Sequence, residues 1–430
     1  MKPKTMQSRP IADVLDISDG GLENKEKNIN NDSHHVIDSA SALQQFLDHV
    51  PISSIAGINN SPVLELKAGD SIRDAIHMLY EKDISSAAIV DVLDPNTASI
   101  RFSDRYMGCI DFTSMVLWCL EEYEKTKKNS GENLLKDIKN GDFFSILDQI
   151  PQIGQTKVGE LAKSFLWEPF FPVHLDDTIL HALLVLSKHR LHVLPVIQQP
   201  EPGLIGFVTQ NAVVQFLLQS SELEWFDTIA DKNLSDFRFE GQENPSCVSG
   251  DQTVADALKL LRQNQTCAVA VVDRQTKKLL GNVRNSDVYN LVKNDDLLRN
   301  RTTLTVEEFI HTETEKIETE ASIEHDHGTF LTAGSLRLKN SFTPRMDSPV
   351  ADKENVSLKQ IMKHMIQTSS SFSFLVNDNE QVTGLLTLRD VILQFAPPCV
   401  NSSINGGGFF ELALEQSGCQ VKNGTMIRNH

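Results

Sequence analysis

The heptapeptide G-L-L-T-L-R-D, Gly384 to Asp390, sets a hydroxyl and a carboxylate three residues apart behind a glycine. Two chemistries fit that spacing. Thr387 and Asp390 can hold a polar ligand, because a hydroxyl both donates and accepts and a carboxylate offers two accepting oxygens. The same pair also reads as a loose capping box, in which Thr387 caps a helix and Asp390 favours its dipole with nothing bound. Three related stretches occur earlier: G-C-I-D-F-T-S from Gly108, G-F-V-T-Q-N-A from Gly206 and G-N-V-R-N-S-D from Gly281. They differ at the two informative positions. The third keeps Asp287 but carries Arg284 where the threonine belongs. The second keeps Thr209 but ends on Ala212, which accepts no hydrogen bond. The first has Asp111 and Ser114, so it can still cap a helix but lacks the acid.

Other chemistry-bearing residues are sparse. His192, with His189 and Arg190 just before it, precedes an apolar run and is either a cation facing a ligand or a structural side chain. His311, His325, Asp326 and His327 have neither helical nor zinc-finger spacing, so a solvated acidic loop explains them better than a metal site. Thr343-Pro344 and Ser348-Pro349 have the form of phosphorylation sites. No G-x-x-x-x-G-K, H-R-D, D-F-G or G-x-S-x-G occurs, and catalysis is not expected. The formal net charge of −18 opposes nucleic-acid or membrane binding. Six cysteines without C-x-x-C spacing suit a reducing compartment. The first residues show no apolar signal region, and nowhere do about 18 apolar residues run together. A soluble cytoplasmic and/or nuclear protein is the expectation.

The glycine-led stretches sit inside a fourfold repeat. Ile72, Ala75, Ile76 and Leu79 form an i, i+3, i+4, i+7 stripe, which is one apolar face of a helix. The stripe returns at Ile179–Leu186, Val254–Leu261 and Leu358–Met365. A hydroxyl residue stands before each: Ser71, Thr178, Thr253 and Ser357. Three positions on, only Gln360 completes a strict capping box, with Asp74 and Asp256 as looser versions. A short, partly β-branched run follows each helix, and then the glycine. The intervals from hydroxyl to glycine are nearly equal in the last three copies. The first is lengthened by the turn-rich L-D-P-N-T-A-S-I-R-F-S-D-R-Y. Such self-similarity marks a duplicated unit.

On these residues the chain resembles cystathionine-β-synthase (CBS) domains, whose unit is β-α-β-β-α. The family signature runs glycine, two apolar residues, Ser/Thr, two variable residues, aspartate, and G-L-L-T-L-R-D satisfies it fully. Four such units without a catalytic domain are similar to the regulatory gamma subunits of AMP-activated and SNF-type kinases. H-R-L-H-V-L-P-V-I from His189, G-C-I-D-F-T-S-M-V-L-W-C-L-E-E-Y-E and the polar insertion before unit four look most like the plant branch.

The resemblance implies an α+β fold of four CBS units in two tandem pairs, forming a compact disc-like pseudo-symmetric assembly. The expected order is a disordered tail at 1–36, CBS 1 at 58–126, a linker or helical bridge at 127–165, CBS 2 at 166–222 and CBS 3 at 240–297. A disordered acidic, Ser/Thr-rich insertion at 305–345, CBS 4 at 346–398 and a C-terminal tail at 399–430 complete it. It further implies clefts for adenine nucleotides, with Thr387, Asp390, Asp287, Thr209 and His192 as the candidate ribose and phosphate contacts. No cofactor is required, and AMP, ADP or ATP is the expected ligand class. Phosphate partners are few, because S-S-S-F-S-F from Ser369 holds no basic residue. The implied function is that of a non-catalytic gamma-like subunit binding a kinase alpha subunit and a beta subunit. The alternative is a CBS scaffold that has lost nucleotide sensing.

Overall fold

The computed structural model describes residues 39–58, 63–91, 105–130, 142–164, 169–189, 191–198, 203–237, 239, 245–312, 336–338, 344–396, 419–422 and 425–428. The expected tail at 1–36, most of the acidic insertion and residues 397–418 lie outside them.

Each striped segment is a helix: Ile72–Lys82, Ile179–Lys188, Val254–Asn264 and Leu358–Gln367. The hydroxyls of Ser71, Thr178, Thr253 and Ser357 accept from the backbone N–H of the third helical residue. One orphan donor is thereby satisfied at each helix start. The reciprocal half falls differently from the sequence expectation. Gln360 does not close a box, whereas the Asp256 carboxylate accepts from Thr253 N at 3.1 Å. The shorter aspartate side chain already spans the gap.

Every helix leads into a three-stranded sheet of one plan. A short lead-in strand pairs parallel with the middle strand, which pairs antiparallel with the glycine-bearing strand. The middle strands Ser86–Val90 and Ala268–Val272 are buried along their whole length, as expected for a strand covered on both faces. All four hairpins share an irregularity in register just after the residue opposite the glycine. Gly108 faces Ile89, Gly206 faces Val196, Gly281 faces Val271 and Gly384 faces Leu375. At two of these glycines another part of the chain passes very close. A Cβ on Gly206 would lie 2.1 Å from Ile58 O, and one on Gly281 would lie 2.7 Å from Met346 O.

The units close into a ring. Sheet packs on sheet between units one and two, through Ala88, Cys109, Val193 and Phe207. Units three and four do likewise through Ala268, Ala270, Phe372 and Phe374. Helices pack on helices between units one and three, including Leu79, Val116, Leu258 and Val288. Units two and four share the other helical core, with Leu183, Val213, Met362 and Val391. Each unit thus touches one neighbour through its sheet and another through its helices. That is the α+β, tandem-paired and pseudo-symmetric plan expected.

Four further segments complete the units. The backbone at each helix cap forms an isolated bridge with a residue beside a short helix: Ser71 with Lys157, Thr178 with Pro51, Thr253 with Thr305, and Asn233 with Ser357. The Ser39–His49 helix and the turn after it therefore belong to unit two, although unit one separates them in sequence. Leu47 and Ile52 are fully buried there. Likewise, Val306–His311 is helical and buries Val306, Phe309 and Ile310 against unit three, so the insertion expected from residue 305 starts inside the fold. Its apolar i, i+3, i+4 spacing and the Thr305–Glu308 capping box explain that local structure. Strands Cys419–Lys422 and Thr425–Arg428 form a separate two-stranded hairpin.

Candidate functional site

The four glycine-led stretches place their informative residues at the turn from the last strand into the second helix. In unit four, Thr387 pairs opposite Phe372, and directly opposed residues of antiparallel strands share a face. Phe372 packs against unit three, so Thr387 stands in the seam between units three and four. Asp390 lies at the third position of the following helix and is 6% exposed. One carboxylate oxygen, Oδ2, accepts from Thr387 N at 2.8 Å and from Thr387 Oγ1 at 2.5 Å. Among the described residues, Oδ1 accepts no hydrogen bond. The capping-box reading is therefore met by Oδ2, while Oδ1 takes no part in it. Cys267 of unit three faces this carboxylate. Its thiol is pushed up to about 12, first by burial and then by the Asp390 charge.

Unit three is arranged otherwise. Arg284, in place of the threonine, donates from Nε to both oxygens of Asp287 and from Nη2 to Oδ1 at 2.7 Å. Asp287 also accepts from Arg284 N at 2.7 Å. Both side chains are buried, at 7% and 3% exposed. Nη1 of Arg284 reaches the carbonyl of Pro344 in the segment leading into unit four. Unlike Asp390, Asp287 has donors on both oxygens.

Thr209 in unit two caps its helix by accepting from Ala212 N at 3.1 Å, and the acid position there is a buried alanine. His192 is exposed, and its backbone carbonyl accepts from Gln210 N at 3.3 Å. In unit one, Asp111 accepts from Ser114 N at 2.8 Å, a cap in place of a seam acid. The seam between units one and two is filled by Tyr106 stacked on Phe170, with ring centroids 4.2 Å apart. Burial and the bond to Glu65 hold the Tyr106 hydroxyl well above its ordinary value.

The five candidates thus divide between two sheet seams. Thr387, Asp390 and Asp287 belong to units three and four, while Thr209 and His192 belong to unit two. Sequence reasoning did not find the Arg284 pairing, although R-N-S-D carries its signal as an i, i+3 pair of opposite charge. It also missed Asn282, a 2% exposed carboxamide whose Oδ1 has no partner among the described residues. Nothing in the sequence marks Phe170 as the stacking partner of Tyr106.

A ring of four such units with one open carboxylate at a strand-to-helix turn defines a class, and family comparison names it. The CBS domain family profile matches residues 158–219, 241–294 and 346–396, so the chain carries CBS domains. Unit one has the same topology without a match. The particular relatives are regulatory. The chain is homologous to the SNF1-related protein kinase regulatory subunit gamma-1 of Arabidopsis thaliana, with 24% identity over 81% of this chain and 82% of that protein. It is likewise homologous to the gamma-1-like subunit of that plant, with 26% identity over 84% of this chain and 88% of that protein. A solved protein from Methanocaldococcus jannaschii aligns with 79% of this chain and 98% of its own, at 16% identity and a TM-score of 0.49.

Proposed function

We propose that this chain is a non-catalytic, gamma-like regulatory subunit of a heterotrimeric SNF-related serine/threonine kinase, holding a catalytic alpha subunit and a beta subunit. Its homology to two plant gamma subunits over about four-fifths of the chain supports the kinase assignment. Adenine nucleotides are the proposed ligand, and the proposed site is the seam of units three and four at Thr387 and Asp390. The observation that carries it is the open Oδ1 of Asp390 in a buried turn, whose two lone pairs can accept from both ribose hydroxyls. Ligand binding would act by differential affinity. It favours one arrangement of the ring, and that arrangement holds the kinase differently.

Calorimetry of the full chain with adenosine, AMP, ADP and ATP tests the ligand assignment, and co-purification with alpha and beta subunits tests the assembly. A binding isotherm lost in Asp390→Ala supports sensing. No heat up to millimolar ligand, with assembly intact, would favour the scaffold reading instead. That second reading draws on Ala212, on the closed Asp287 and on the lack of basic side chains from Ser369 to Phe374. The proposed compartments are cytoplasm and nucleus. No helix among the described residues is long and apolar enough to cross a membrane.

A further inference from the structure

We infer that Arg284 is an internal occupant of the unit-three cleft, and that it limits the seam of units three and four to one ligand where two are built. The inference rests on the nucleotide reading of this seam, and the test below separates the two.

The seam is duplicated. Arg284 pairs opposite Ala268 and Asn282 opposite Ala270, and both alanines pack in the seam, so both polar side chains stand on the seam face. They hold the places that Thr387 and Leu385 hold in unit four, counted from Gly281 and Gly384. On the unit-four side a neutral threonine leaves one oxygen of the acid open. On the unit-three side the guanidinium covers both oxygens of Asp287 and ties them to the carbonyl of Pro344. The strap from Pro344 to Asp347 is fixed alongside. Asn282 N donates to Met346 O at 2.9 Å, and Arg345 pairs with Asp347 at 2.5 Å. Met346 is fully buried.

Asn282 gives a second, independent sign that a ligand cleft underlies this closure. Its Oδ1 is buried without a partner, aimed into the seam beside Arg284. A buried acceptor left bare is costly in an ordinary core. In a cleft it is a contact point for a donor such as the exocyclic amine of adenine. The guanidinium thus supplies from within what a bound nucleoside would supply from without, namely donors to the acid and a bridge to the neighbouring unit.

The test is calorimetric stoichiometry on the full chain with adenosine and AMP. The native chain should show one site and Asp390→Ala none. Arg284→Thr, which restores the full signature in unit three, should show two, and the double variant one. An Arg284→Thr chain that gains no site would overturn the inference, as would a native chain with two. If Arg284→Thr does not fold, Arg284→Ala decides by the same count: a site gained supports the inference, and none gained overturns it. If the native chain binds nothing, the nucleotide reading of Asp390 fails alone. A site gained in Arg284→Thr still supports the internal occupant, and none gained overturns it.

Discussion

Replacing Asp390 separates its capping role from the proposed ligand contact, because the two use different oxygens. Oδ2 serves the capping box with Thr387, and Oδ1 faces the seam. Without the carboxylate, Thr387 still accepts from the backbone N–H of residue 390, and only the Oδ2 half of the capping box is lost, at about 1 kcal/mol. Asp390→Ala should therefore lower unfolding stability by about that much whether or not a ligand exists. Two hydrogen bonds from ribose hydroxyls to a carboxylate are each worth about 1.5 kcal/mol or more. Losing both weakens adenosine binding by about 3 kcal/mol, roughly a hundredfold. Asp390→Asn is the sharper probe. Its carbonyl oxygen can keep the cap while its amide faces the ligand, where one hydroxyl can still accept. Stability then stays near native, and affinity falls about tenfold, the effect of losing one such bond. Urea unfolding and calorimetry on the same preparations read the two effects. If Asp390→Ala lost its share of stability yet bound adenosine within twofold of the native chain, the carboxylate would be a cap and nothing more.

Gly206→Ala and Gly281→Ala should each destabilise by about 1–3 kcal/mol, because the new Cβ meets Ile58 O or Met346 O. Gly69→Ala, with open space around it, is the control, and urea midpoints compare the three. Arg301→Ala should cost about 1–3 kcal/mol, below the fully buried range because Glu124 is partly exposed, and should loosen units one and three. Arg301 pairs with Glu124 at 2.5 Å and lies 5.4 Å from the Tyr123 ring; proteolysis near residue 124 reads the loosening. Burial holds the imidazole of His189 below its ordinary value of 6.5, so the unfolded chain binds a proton there before the folded chain does. This contribution is complete above pH 6.5 and is lost as the pH falls towards the lowered folded value. His189→Phe keeps the stack on Phe171 and should flatten the fall in stability on acidification, read by urea unfolding at several pH values.

The repeat was legible because each unit writes its plan locally. Cap, apolar stripe, β-branched run and glycine all fall within one unit, and the structure forms each where the spacing puts it. What the sequence hid is exchange between units. The Ser39–Ile58 segment serves unit two across the whole of unit one, and no local pattern reveals a contact at that separation. The glycine is similar. Its place in the signature was plain, but at Gly206 and Gly281 the reason is the carbonyl of Ile58 or Met346 passing over it from a distant segment. At the site, the threonine and acid were visible as a pair with two meanings. Only the geometry shows that one oxygen can serve each. Arg284 looked like a departure from the pattern, and becomes a partner once its guanidinium is seen on Asp287.

The ring explains how a change at one seam can bear on the whole chain. Each unit faces one neighbour with its sheet and another with its helices, so no seam can shift without its unit shifting against a third. Unit four makes this concrete in two consecutive residues. Asp390 faces the sheet seam with unit three, close enough to Cys267 for its charge to raise the thiol. Arg389 reaches across the helical seam and donates to Ser187 O of unit two at 3.3 Å, at the end of the Ile179–Lys188 helix. A cation there suits the negative end of that helix. The turn that would hold a ligand is thus the same turn that ties units two and four. A ligand drawing on Asp390 acts on both contacts through a single peptide link. The opposite helical seam is fastened by Arg262 on Glu121 and Arg301 on Glu124, away from any open acid. Among the described signature turns, Asp390 in the other helical pair is the acid with one oxygen outside its capping box.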